Sequence, residues 1–204
     1  MTKHHPKETT LAEYAAGTLD EGRSLVVTEH LHRCAQCREL VAGFEAVGGV
    51  MLEAIDPAEM SAGARDKALR RLDDAVPAAA TGKVRKSLKD YRLGSWRWIA
   101  PGLHMRSVEM SSGTAARVFM LKAAPGIELP KHKHKGTELT CVLSGAFIHE
   151  GGRYGAGDCD DADEDDLHSP VIDAGEECVC LVAMQGSIVF QSLLGRMIQP
   201  FVRL

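Results

Sequence analysis

The chain has 204 residues, of which 45% are hydrophobic and 25% are charged, and its formal net charge is −4. This composition is typical of a folded globular protein, and no stretch approaches the roughly 20 apolar residues that a membrane-spanning helix requires. Because the N-terminus lacks the apolar core of a signal peptide, we expect a cytoplasmic protein whose six cysteines are thiols or metal ligands.

Charge is distributed unevenly along the chain. Residues 1–76 contain 9 basic and 13 acidic side chains, and residues 108–204 contain 8 basic and 14 acidic side chains. The segment between them, residues 77–107, contains 7 basic side chains and 1 acidic side chain. Since nucleic acid phosphates require a basic surface, the two acidic segments argue against direct DNA binding. They are better suited to a basic protein partner.

Residues 8–74 are predicted to form four helices. Thr10 and Glu13 fit a capping box at the start of the first helix, and Gly17 is a suitable C-terminal stop. A second helix carries Leu25 and Leu31, and a third follows Cys37 and continues to about residue 55. Pro57 interrupts the pattern before a fourth helix within residues 59–74.

The segment from His30 to Cys37 contains an H-x3-C-x2-C pattern formed by His30, Cys34 and Cys37. Residues four apart on a helix lie one above the other, so His30 and Cys34 can bind one ion, and Cys37 can join them as the chain turns. Structural zinc takes four N or S ligands in a tetrahedron. The fourth ligand must come from elsewhere, and His4 and His5 are the candidates.

Several large apolar residues of the third and fourth helices exceed what a small zinc-linked bundle can bury. We predict that they contact a protein partner, since methionine-rich helical faces make adaptable contacts; the alternative is that they belong to the core. These residues are Met51, Leu52, Ile55, Met60, Leu69 and Leu72.

After a basic, weakly apolar stretch the pattern changes to short apolar runs separated by Gly, Pro and Asp, which favours a small all-β barrel or sandwich. Within this part, His132 and His134 share one face of a predicted strand, and Glu138 can return to that face after a turn at Gly136. Two imidazoles and a carboxylate that converge inside a barrel indicate a metal site.

The spacing Gly126-x5-His132-x-His134-x3-Glu138-x6-Gly145 resembles the first cupin motif at every fixed position. The second motif is degenerate, but Gly157 and His168 stand at the expected separation. The resemblance implies a cupin barrel in which His168 is the fourth ligand of zinc or of another divalent metal such as Fe, Mn or Ni.

Two further features of this region have ordinary interpretations. Asp158–Asp166 contains seven acidic residues among nine and is predicted to be a solvated loop. Cys178 and Cys180 share a strand face, where core packing is favoured over a redox-sensitive pair near the metal.

The N-terminal pattern, with His5 (or His4) as the distal ligand, resembles the zinc-binding anti-sigma domain. Together with the cupin motif it resembles the ChrR-type cupin anti-sigma factors, as do Tyr14–Leu19, Glu138–Thr140 and Gln199–Phe201. The resemblance implies a multidomain α + β chain: a zinc-binding helical bundle over residues 1–75, a linker over 76–91, and an all-β cupin sensor domain over 92–204.

The resemblance further implies a transcriptional regulator rather than an enzyme. The helical domain would sequester an extracytoplasmic-function sigma factor, and the cupin domain would trigger its release under oxidative stress such as singlet oxygen. The alternative is a cupin metal-dependent dioxygenase with an N-terminal zinc module. A zinc-finger DNA binder is a third hypothesis, which the acidic charge of residues 1–76 disfavours.

Overall fold

The structure is a computed structural model that describes residues 2–72, 85–111, 113–163 and 169–190, with the backbone alone described at 134, 189 and 190. Within these ranges the helices are α1 (Glu8–Ala15), α2 (Glu21–Leu31), α3 (Ala35–Glu53) and α4 (Ala64–Arg70), and a 3-10 turn spans Leu88–Asp90. None of the helices in the described part of the chain is long and apolar enough to cross a membrane.

Helix α1 ends as predicted but begins differently. Gly17 adopts a left-handed φ of 70°, and its N–H and that of Thr18 bond back to the carbonyls of Tyr14 and Glu13. The predicted capping box at Thr10 is wrong. The N-cap is Lys7, whose side chain does not cap the helix, and Thr10 lies inside α1 with its hydroxyl donating to Asp161. Helix α4 is shorter than the predicted span of 59–74.

The second half of the chain forms antiparallel sheets. In the described residues β1-β2-β3-β10-β5-β8 form a six-stranded sheet, β11-β4 form a ribbon, and β7-β6-β9 form a three-stranded sheet. Residues from all three sheets line one central cavity, which is the arrangement of a cupin barrel. The strands are β1 (Arg97–Ala100), β2 (Leu103–Ser107), β3 (Arg117–Ala123), β4 (His132–Lys135), β5 (Glu138–Ser144), β6 (Ala146–His149), β7 (Gly152–Gly155), β8 (Cys159–Ala162), β9 (Val171–Ile172), β10 (Cys178–Met184) and β11 (Ser187–Phe190).

The helices and the barrel share one hydrophobic core. Helix α2 packs on the outer face of the six-stranded sheet, so that Leu25 of α2 belongs to the same buried cluster as Leu139 of β5 and Leu181 of β10. A Cβ atom on Gly22 would lie 2.7 Å from Cγ2 of Val118, so glycine is what allows this close approach. Since both faces of the sheet are buried, β5 and β10 are nearly continuous apolar runs.

The predicted linker lies partly outside the described residues, which resume at Arg85. From there the chain packs on the helices: the Arg85 guanidinium lies 4.3 Å from the centre of the Tyr14 ring, and the Leu88 N–H donates to Glu29 at 2.7 Å. The end of the connection that leads into the barrel is therefore held against α1 and α2.

Candidate metal centres and the exposed apolar face

Four side chains meet at the junction of the N-terminal segment with α2 and α3. His5 comes from the extended residues before α1, His30 lies in the last turn of α2, Cys34 is the N-cap of α3, and Cys37 lies in the first turn of α3. One ligand atom from each of the four lies within 4.8 Å of the others. The structure thus brings together His5 and the three residues of the H-x3-C-x2-C pattern.

The spacing of these atoms fits a tetrahedral zinc ion. The Nδ1 atom of His5 lies 3.4 Å from Sγ of Cys34 and 3.3 Å from Sγ of Cys37. Zinc bond lengths place tetrahedral ligand atoms about 3.6 Å apart. The fully buried ring of His30 donates from Nδ1 to the Gly157 carbonyl at 2.7 Å, whereas its Nε2 has no hydrogen-bond partner among the described residues. A metal ion would satisfy this orphaned nitrogen.

Burial sets the protonation state of two of these side chains. Burial lowers the pKa of His30, so its imidazole is neutral as a ligand must be. Burial, followed by the hydrogen bond and the charge of Cys34, raises the pKa of Cys37 to about 12. Without a metal this thiol stays protonated at neutral pH, and binding of a divalent cation displaces the proton. His4 does not join the cluster, because its ring stacks on Tyr154 with centroids 3.9 Å apart.

A second polar group lies in the barrel. His132 of β4 and Glu138 of β5 line the same cavity of about 150 Å³, together with Thr140 and Asp160. The Nδ1 atom of His132 bonds to the Pro130 carbonyl at 2.7 Å, which fixes the orientation of the ring. Burial raises the pKa of Glu138, and the nearby His132 opposes that shift.

The other two predicted cupin ligands are incompletely described. His134 follows two residues after His132 in β4, where its backbone pairs with Ile188, but its side chain and the whole of His168 lie outside the described part of the chain. A carboxylate and an imidazole that share a buried cavity wall are a donor set that a divalent cation can bind. The residues present therefore fit a metal.

The cysteines of β10, the strand next to β5, also line the cavity. Cys178 and Cys180 are both buried, and their sulfur atoms lie 3.6 Å apart. They line the cavity while packing with the apolar side chains of the barrel interior. The predicted packing role is therefore accompanied by contact with the cavity.

The prediction of a solvated acidic loop is wrong for its first half, which forms β8 and the turn before it. Asp158 is 5% exposed, and Asp160 lies 3.3 Å from Nε2 of His149. Asp161 accepts hydrogen bonds from the Lys7 N–H and the Thr10 hydroxyl. Asp158 is therefore buried and Asp160 and Asp161 are half-buried, with N–H groups, a hydroxyl and a histidine as their partners. Residues 164–166 lie outside the described part.

The predicted partner residues are exposed apolar side chains of the C-terminal part of α3, the segment after it, and α4 with the residues that follow it. We call these residues together the α3–α4 face. The exposed fractions are 67% for Met51, 70% for Leu52, 66% for Ile55, 73% for Met60, 50% for Leu69 and 78% for Leu72. The alternative that these residues form a core does not hold in the described part of the chain.

Comparison with known proteins agrees with this architecture. The profile of the ChrR cupin-like domain matches residues 86–187. The chain is 37% identical over 215 residues to the anti-sigma-E factor ChrR of Cereibacter sphaeroides, covering 99% of both sequences. It also matches the crystal structure of Rhodobacter sphaeroides SigE in complex with the anti-sigma ChrR, with a TM-score of 0.76 and 38% identity over 91% of this chain and 100% of that chain. The chain belongs to the ChrR family of anti-sigma factors.

Proposed function

We propose that this chain sequesters an extracytoplasmic-function sigma factor in the cytoplasm through the α3–α4 face, and releases it when the cupin domain responds to an oxidant such as singlet oxygen. The observation that carries the proposal is the exposure of that face on a helical domain that is otherwise fixed to the barrel. The SigE complex of the Rhodobacter relative supports a sigma factor as the class of partner.

The length of α3 supports a partner-bound role. The last buried residue of α3 is Val41, and the residues from Glu45 to Glu53 are all exposed in the described structure. These nine residues extend about 13 Å at the rise of an α-helix. They include Gly48 and Gly49, which weaken a helix, and no described atom lies within 4 Å of the position of a Cβ on either. An apolar helix of this kind is stabilised by packing against another surface, and the glycines allow close approach.

The metal sites have separate roles in the proposal. His5, His30, Cys34 and Cys37 would hold zinc and so fix the N-terminal segment and the start of α3, from which the α3–α4 face extends. His132, His134, Glu138 and His168 would hold zinc or another divalent metal (Fe, Mn or Ni) in the cupin domain, where the oxidant is sensed. The open cavity beside His132 and Glu138 gives a small molecule room to reach this site.

A pair of matched substitutions tests the partner surface. Ile55→Asp places a charge on the α3–α4 face, and Ile148→Asp places the same charge on β6, where Ile148 is also exposed, at 43%. Both positions are exposed, so neither change should unfold the protein. Binding to the extracytoplasmic-function sigma factor of the same organism is measured by isothermal titration calorimetry with zinc-saturated protein.

We expect Ile55→Asp to weaken binding by about 10-fold or more, as is typical when an apolar contact in an interface is replaced by an unpaired charge. Ile148→Asp should bind like the unmodified chain. Equal binding by all three proteins would show that the α3–α4 face does not contact the sigma factor. Failure of the unmodified chain to bind would contradict the anti-sigma function itself.

A further inference from the structure

The cupin barrel holds the N-terminal segment that carries a predicted zinc ligand. The carboxylate of Asp158 accepts hydrogen bonds from the backbone N–H groups of Lys3 at 2.6 Å and His4 at 3.2 Å. The His4 carbonyl in turn accepts from the N–H of Cys159 at 3.1 Å. His5 follows immediately, so the position of its ring depends on these contacts with the turn between β7 and β8, residues 155–159.

The same turn holds a second predicted ligand. The carbonyl of Gly157 contacts Nδ1 of His30 at 2.7 Å and leaves Nε2 directed toward the cysteines. Gly157 has a φ of +97°, and a Cβ there would lie 2.9 Å from Thr2 and 3.1 Å from Arg33. Glycine at this position is therefore required both by its backbone conformation and by the close approach of the helical domain.

The turn is tied to the barrel as well as to the helices. The second oxygen of the Asp158 carboxylate accepts from the Gly155 N–H at 2.8 Å, and the Asp158 carbonyl accepts from the Val142 N–H of β5. Beyond the turn, strand β8 pairs with β5, with Asp160 opposite Thr140 and Ala162 opposite Glu138. Asp160, Thr140 and Glu138 contribute to the cavity wall. A displacement at the cavity can thus move the turn.

We propose that the β7–β8 turn of the cupin domain is a structural part of the N-terminal metal centre, with Asp158 as a positioning residue that seats His5 and presents the Gly157 carbonyl to His30. This inference rests on the proposed metal site. It means that the barrel controls the metal affinity of the helical domain through direct contacts, in addition to the covalent connection.

The size of the effect follows from the role of groups that orient metal ligands. Removing such a group typically lowers metal affinity by about 10- to 100-fold. Because coupling between two equilibria is reciprocal, loss of the N-terminal metal must weaken the docking of residues 2–5 on the turn by the same factor.

Cobalt(II) titration of the full chain separates this site from the barrel. Cobalt bound to thiolates has a charge-transfer band in the near ultraviolet, and Cys34→Ala establishes which part of that band belongs to the N-terminal site. The dissociation constant is measured for the unmodified chain, Asp158→Ala and Asp158→Asn. Asp173→Ala is the matched control, since Asp173 also bonds within the barrel, to Arg153, but is not among the contacts of the N-terminal segment.

We expect the dissociation constant to rise by about 10-fold or more in Asp158→Ala and by less in Asp158→Asn, which keeps one acceptor oxygen. Asp173→Ala should stay within about twofold of the unmodified chain. If Asp158→Ala does not fold, the isosteric Asp158→Asn decides. Unchanged affinity in the folded variants would overturn the inference while leaving the metal site intact. Absence of the Cys34-dependent band in the unmodified chain would instead overturn the metal site.

Amide hydrogen exchange provides a second test without altering the turn. With both proteins at the same saturating metal concentration, the Cys159 N–H, which donates to the His4 carbonyl, should exchange faster in Cys34→Ala, which lacks a ligand of the N-terminal site, than in the unmodified chain. Equal exchange rates would show that the N-terminal metal and the turn are not coupled.

Discussion

Glu21 of α2 offers the most direct test of how the helices dock on the barrel. Its carboxylate accepts hydrogen bonds from the Tyr91 hydroxyl at 3.0 Å, the Ser111 N–H at 3.1 Å, the Ser111 hydroxyl at 3.0 Å and the Thr114 hydroxyl at 3.1 Å. Glu21→Ala removes all four bonds at once. The donors come from the barrel side of the junction, so the substitution weakens docking without touching either metal centre.

The expected loss can be derived from these contacts. A hydrogen bond to a charged acceptor contributes about 1.5–3 kcal/mol when buried, but Ser111 is exposed, so each bond contributes less here. We expect a total loss of about 2–3 kcal/mol. In a chain of this size 1 kcal/mol corresponds to about 2–4 °C, so the melting temperature should fall by about 4–12 °C.

Thermal unfolding of the metal-loaded protein at pH 7 measures this shift. Glu109→Ala is the control, because Glu109 forms an exposed ion pair with Arg92 at 3.9 Å and should change the melting temperature by less than about 2 °C. Equal shifts in the two variants would refute the docking role assigned to Glu21.

Four further results are expected. Burial alone would raise the pKa of Glu21, but its hydrogen bonds lower this pKa below the ordinary value of 4.5. The stabilisation from the ionised carboxylate is therefore complete above pH 4.5 and is lost as the pH falls through the lowered pKa. The difference in melting temperature between Glu21→Ala and the unmodified chain should accordingly shrink below pH 4.5. Gly157→Ala should lower the melting temperature, whereas Gly175→Ala, with no described atom within 4 Å of its Cβ position, should not. Cys34→Ala should abolish sigma-factor binding in calorimetry, because the start of α3 loses its metal cross-link. His132→Ala should retain that binding but should not release the sigma factor under photosensitised singlet oxygen; normal release would contradict a sensing role for the cupin site.

The sequence predicted the residues whose spacing is dictated by local geometry. The i, i+2 relation of His132 and His134 follows from the strand period. The H-x3-C-x2-C spacing identified His30, Cys34 and Cys37, although His30 lies in α2 and Cys34 begins α3 after a short turn rather than one helical turn later. The apolar residues of the α3–α4 face could be predicted to contact a partner because a small bundle cannot bury all of them. In each case the information lay within one element or its immediate neighbours.

Contacts between distant segments could not be predicted in the same way. Asp158 is 155 residues from Lys3 in the sequence. A run of acidic residues gives no indication that backbone N–H groups of the N-terminal segment will donate hydrogen bonds to the Asp158 carboxylate. Thr10 fits a capping box in the local sequence, but in the structure its hydroxyl donates a hydrogen bond to Asp161 of the barrel. The choice of His5 over His4 likewise depends on Tyr154, which lies in β7 and provides the ring on which His4 stacks.

A helical domain fixed by its metal is expected to bind the sigma factor. Sedimentation analysis tests this with the purified, metal-loaded chain mixed with the extracytoplasmic-function sigma factor of the same organism, before and after removal of the metal with a chelator. We expect a stable complex that dissociates when the metal is removed. Absence of a complex with the metal-loaded chain would contradict this expectation, and a complex that survives metal removal unchanged would contradict the role given to His5, His30, Cys34 and Cys37.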